Sequence, residues 1–174
     1  MAAGHPLHMA IGKKILERFG IDSLLDPACC DATHRLPLFC SDEKSRASEF
    51  CNVDALILKG GEVKVIVEIE EADIKPTHVC GKILTSAISK FYIYGDAKYP
   101  LSLRMLFVQV VDTSKLKPGS RKEKQFDNLK ASIQGAFPLK NGRMIEYAFF
   151  ALDKRNEAKM QELLDLIDEF LKRN

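Results

Sequence analysis

Long apolar runs are missing from this chain: stretches such as Met105 to Val108 fall far short of the roughly 20 residues that a membrane-spanning helix needs. No membrane span is expected. The opening residues, Gly4, His5 and Pro6 ahead of a mixed segment, lack the basic start and apolar stretch of a secretory signal, so a cytoplasmic location is expected. Also missing are a glycine-rich phosphate loop, a serine nucleophile motif and a dinucleotide fingerprint, which leaves several common enzyme classes without support. There is no internal repeat. Cysteine is sparse and odd in number, at 5, with Cys29 and Cys30 adjacent. That does not read as a disulfide framework. Cys29, Cys30, His34, Cys40 and Cys51 also lack the C-x₂-C spacing usual in zinc sites, so reduced thiols are expected. Net charge is nearly absent: 26 basic against 24 acidic residues give +2, and attraction to a polyanion has to come from local patches.

With 46% hydrophobic and 29% charged residues, and glycine and proline at 10 and 7 of 174, neither a disordered nor a fibrous chain is indicated. One domain over 1–174 is expected, long enough to bury a core without disulfides or metal as staples. Leu7, Ile11, Ile15 and Phe19 recur at helical spacing between Pro6 and Gly20. From Asp22 to Glu49 the pattern dissolves, which reads as loop with at most a short helix. Val53 to Leu58, Gly60-Gly61 and Val63 to Glu70 then form a β-hairpin pattern. Pro76 opens a helix with Val79, Ile83, Ala87 and Phe91 on one face and Gly95 as its stop. Leu103 to Val111 is nearly continuous apolar sequence, as in a central strand covered on both faces. A basic loop leads to a helix near Gln125 to Gln134, Met144 to Leu152 is another strand, and Asn156 caps a last helix carrying Met160, Leu163, Leu164, Ile167, Phe170 and Leu171. This order predicts an α/β fold, a mixed central sheet flanked by helices.

Glu68 and Glu70 are two apart on one strand and leave the same face, about 7 Å apart. The hairpin brings Asp54 to the neighbouring strand. Three carboxylates so close repel and raise one another's pKa unless a cation sits among them, and hard oxygen donors of this kind suit Mg²⁺ or Mn²⁺. Register decides the geometry. A turn of Gly60 and Gly61 alone sets Asp54 against Val67, whereas a three-residue loop with a glycine bulge sets it against Glu68; the bulged form is expected. The alternative is that Glu68, Glu70, Glu71 and Asp73 form a solvated acidic edge.

Val53-Asp54, followed after the glycine turn by Val67-Glu68-Ile69-Glu70, resembles the PD-(D/E)xK nuclease superfamily, which includes many restriction enzymes. The likeness covers roughly Glu49 to Phe91. Asn52-Val53 stand where the motif begins with proline, and Glu70 stands where lysine is usual. The resemblance implies a restriction-endonuclease-like fold and Mg²⁺-dependent hydrolysis of DNA. It implies catalytic roles for Asp54, Glu68 and Glu70, and metal contact by Asp54, Glu68 and Ile69. Members that lack the strand lysine sometimes supply one from the next helix, where Lys82 lies in a polar stripe with His78, Ser86 and Ser89; the other reading of Lys82 is a solvated helix flank. Glu17 lies opposite the apolar stripe of the first helix, and His8, on the apolar side, reads as a satisfied core histidine. Lys115, Lys117, Arg121, Lys122 and Lys124 are the candidate DNA-binding patch. Cutting both strands of a duplex with one site per chain implies a homodimer. The competing function is a catalytically silent module of the same fold that holds nucleic acid or a protein partner.

Overall fold

A computed structural model describes residues 5–30, 33–71, 75–114, 117–136, 139–140 and 144–174. Helix α1 (Pro6–Phe19) starts on its proline, buries Leu7, Ile11 and Ile15, and stops at Gly20, whose φ of 54° suits glycine. A single 3-10 turn, Gly20–Asp22, leads to β1 (Ser23–Leu25), β2 (Leu36–Phe39) and β3 (Glu49–Val53). The expectation of loop from Asp22 to Glu49 is therefore corrected. Strands this short carry no readable alternation: β2 and β3 pair antiparallel with each other, and β1 and β2 also pair with strands later in the chain.

The hairpin follows as β4 (Ala55–Lys59) and β5 (Glu62–Glu70), then α2 (Pro76–Ile88). Phe91 does not belong to that helix. It opens β6 (Phe91–Tyr94), which turns at Gly95 into β7 (Ala97–Asp112); its helical spacing from Ala87 is coincidental. The chain closes with α3 (Arg121–Ala136), β8 (Leu139–Lys140), β9 (Met144–Leu152) and α4 (Glu157–Arg173). The Asn156 side chain caps α4 by accepting from the Lys159 N–H at 3.1 Å. No helix among the described residues is long and apolar enough to cross a membrane.

Nine strands among the described residues form one mixed sheet in the order β1-β4-β5-β7-β6-β2-β3, with β9 on β7 and β8 on β9. The 16 residues of β7 let it serve two partners on one side. Ala97 to Pro100 pair antiparallel with β6, and Arg104 to Asp112 pair parallel with β9. On its other side β7 runs parallel to β5. Its central place is as the sequence predicts. Helices cover both faces: Leu7, Ile11, Leu163, Ile167 and Phe170 pack on Val67, Ile69, Val108 and Val110, while Val79, Ile83 and Ile133 pack on Leu56, Ile66 and Phe107. The α/β class with a mixed, helix-flanked sheet is what the element order implied.

Gly12 lets α1 lie close against the loop after β1: a Cβ there would stand 2.1 Å from the Cys29 carbonyl oxygen. Alanine in a helix is ordinarily about 1 kcal/mol better than glycine. At this position Gly12→Ala is expected to destabilise the fold by about 1–3 kcal/mol through overpacking, read as a lower midpoint in urea.

Candidate active site

The hairpin turn is tight. Gly60 and Gly61, with φ of 62° and 77°, place Lys59 opposite Glu62. The expected three-residue loop is not formed. The extra residue instead sits within β5 at Lys64, since Leu58 pairs with Val63 but Ile57 with Val65. Lys64 is turned to its own partners, Glu62 and Ser102, each at 2.8 Å. A matching irregularity interrupts the β5–β7 pairing between Val63 and Val65. Beyond the bulge Ala55 faces Val67, and the same register carried one residue further sets Asp54 against Glu68. The bulge lies elsewhere than expected, with the same consequence for Asp54.

Asp54 falls in the bend between β3 and β4, where its carboxylate stands in for a ladder partner: Oδ2 accepts the Ile69 N–H at 2.7 Å. Ile69 thus meets the site through its backbone, and its side chain is buried in the core on the α1/α4 face. Glu68 belongs to the other face, in parallel register with Gln109 of β7, and is 0% exposed. That face is not a solvated edge at Glu68, because α2 lies over it.

Helix α2 buries Val79, Ile83 and Ala87, and Lys82 hangs beside that apolar stripe. Its Nζ donates to Glu68 Oε2 at 2.5 Å and lies 3.8 Å from Glu70 Oε1 and 3.9 Å from Asp54 Oδ2. One ammonium therefore faces all three carboxylates. Of the remaining stripe, Ser86 and Ser89 are buried and His78 is exposed.

Burial and the Asp54 charge push the Glu68 carboxyl well above its usual range, against the pull of Lys82. Burial alone would lower Lys82, but Glu68 and Asp54 outweigh it and hold the amine above the ordinary lysine value. Burial likewise acts to raise Asp54, and contacts with His8 and Lys82, with the Ile69 N–H, bring it below its usual value. Glu68 Oε1 and Glu70 Oε1 are buried without a hydrogen-bond donor, an expensive condition for carboxylates.

Three further residues reach this region. His8 is buried, as a core histidine would be, yet both ring nitrogens meet acids: Nε2 stands 3.7 Å from Asp54 Oδ1 and Nδ1 2.6 Å from Glu71 Oε2. Burial opposes its protonation, but Asp54 and Glu71 prevail and raise its pKa. Glu71, just past β5, reads from the sequence as part of the acidic edge and is instead drawn in by His8. Gln109 is fully buried with neither amide atom partnered; its one sequence signal is being the only polar residue between Met105 and Val111.

The basic patch is partly relocated. Lys117 is exposed in the segment after β7, but Arg121, Lys122 and Lys124 lie exposed on the first turn of α3 and not in a loop. Lys115 and Asp73 lie outside the described residues. The five cysteines are free thiols. No family model, curated protein or solved structure matches this chain.

Proposed function

We propose that the chain is a metal-dependent nuclease that hydrolyses DNA phosphodiesters on a restriction-endonuclease-like, PD-(D/E)xK arrangement. The observation that carries this reading is the convergence of Asp54, Glu68 and Glu70 on one cationic nitrogen, that of Lys82. The donor set suits Mg²⁺ or Mn²⁺: hard carboxylate oxygens, with Glu68 Oε1 and Glu70 Oε1 buried and unsatisfied. Asp54, Glu68 and the backbone at Ile69 would hold the ion. When bound, it would polarise a phosphodiester and acidify a water.

Lys82 is held protonated, so it serves as a fixed positive charge and hydrogen-bond donor toward phosphate, not as a base. Glu70 is the carboxylate left to take the water's proton. His8 holds Asp54 ionised. Gln109, beside Glu68, offers an amide to the reacting groups. Gln109→Met removes an orphaned amide and is expected to stabilise the fold by about 1–2 kcal/mol. It should also slow cutting roughly tenfold or more, the equivalent of one charge-assisted hydrogen bond. A thermal melt and a cleavage time course check the two halves separately.

Lys117, Arg121, Lys122 and Lys124 follow β7, at the same carboxyl end of the parallel strands as Glu70 and Asp112. Open α/β sheets commonly bind ligands at that end, which supports these residues as the phosphate-gripping patch. Duplex cleavage by two chains in a homodimer, within the cytoplasm, completes the proposal.

The second reading, a silent DNA-binding module, is favoured by one fact: Lys82 already sets a cation among the carboxylates. Cleavage of supercoiled and linear DNA with Mg²⁺, Mn²⁺ or Ca²⁺ separates them. The nuclease nicks with Mg²⁺ or Mn²⁺. A module retards DNA in a gel, with strong salt dependence, and leaves it whole with every ion.

A further inference from the structure

At the start of α1, two imidazoles converge on one carboxylate oxygen. His8 Nδ1 is 2.6 Å and His5 Nδ1 3.5 Å from Glu71 Oε2, and the ligand atoms of the three residues all lie within 4.8 Å of one another. We propose that His5, His8 and Glu71 form a separate site for a borderline divalent transition ion of the zinc class, clasping the start of α1 to the end of β5. Two nitrogens and one oxygen suit such an ion, whereas Mg²⁺ prefers oxygen alone.

Spacing agrees with this. Zinc bonds of about 2.0–2.2 Å in tetrahedral array set neighbouring ligand atoms roughly 3.4 Å apart. The His5–Glu71 separation of 3.5 Å already matches, and the His8–Glu71 pair needs to open by less than an ångström. His5 is the residue just before α1 and His8 lies in its first turn, and both rings turn toward Glu71. The ligands are also oriented from behind. The Leu7 N–H donates to Glu71 Oε1, which leaves Oε2 toward the rings, and His8 Nε2 faces Asp54, an arrangement like the carboxylate backing common behind metal-bound histidines. Because His5 is 58% exposed, the fourth coordination position opens to solvent. The site uses neither Glu68 nor Glu70 and stands whether or not the chain cuts DNA.

Tag-free, chelator-stripped full chain titrated with Co²⁺ in excess Mg²⁺ tests it. One equivalent should bind, giving visible d–d absorption that Zn²⁺ abolishes, and Zn²⁺ should raise the thermal midpoint. His5→Ala and Glu71→Gln should each weaken binding by more than about tenfold, the least that loss of even an outer partner costs. Glu68→Gln should bind as wild type does. His5 is exposed, so its variant should fold, and its metal-free melt verifies that. Several results overturn the site: no saturable Co²⁺ binding, equal binding by wild type and His5→Ala, loss in Glu68→Gln alone, or a sulfur-to-cobalt charge-transfer band placing the ion on cysteines.

Discussion

Mg²⁺-dependent nicking is expected to fall at least about a hundredfold in Asp54→Asn and in Glu68→Gln, because an ion's contribution of several kcal/mol is lost at 1.36 kcal/mol per tenfold. The amide replacements are chosen for their structural neutrality. Asparagine in place of Asp54 would keep an oxygen for the Ile69 N–H, which the native carboxylate accepts at 2.7 Å, whereas alanine would orphan that donor. Glutamine in place of Glu68 would preserve the volume of a fully buried side chain. DNA retardation in a gel should persist in both, since the basic patch is untouched. Either variant nicking at the wild-type rate removes these carboxylates from the chemistry.

Lys82→Met should have the largest effect on stability. It leaves Glu68 buried with no cation beside it. Breaking a fully buried ion pair costs roughly 3–5 kcal/mol; Lys82 is one-third exposed, so about 2–3 kcal/mol is expected near pH 8. The loss should shrink in acid. Without Lys82, burial and Asp54 keep the folded-state pKa of Glu68 above its unfolded value, the direction already present in the wild type. A carboxyl raised in this way is tolerated below its unfolded pKa and costs stability as pH climbs through the folded one. Urea melts at pH 5 and pH 8 measure the difference. Under the nuclease proposal Mg²⁺ should recover part of the loss at pH 8 by binding the folded state. A variant that melts with the wild type at both pH values shows that Lys82 does not neutralise this site.

Much of the frame is legible because periodicity and end signals act locally. Pro6 and Gly20 bound α1, Asn156 caps α4, and the alternation of Val63 to Glu70 marks β5. Asp22 to Glu49 is unreadable because β1 and β2 are too short to show alternation and rely on pairing with strands later in the chain. Phe91 misleads because a strand residue happens to keep helical phase with Ala87. The candidate site divides the same way. Two-residue spacing puts Glu68 and Glu70 on one face, but spacing cannot say whether that face is wet, nor which nitrogen of His8 meets an acid.

Sequence alone determined the α/β class, the hairpin and the acidic pair, since each follows from side-chain period and turn chemistry within a few neighbouring residues. Tertiary structure decided the Lys64 bulge that sets Asp54 against Glu68, and the closure of α2 that buries Glu68 under Lys82. It also brought Glu71 to His5 and His8 at the start of α1. The burial of Glu68 under Lys82 and the gathering of Glu71 with the histidines depend on contacts between residues 14 to 66 positions apart, where charge and burial act through space and leave no local trace along the chain.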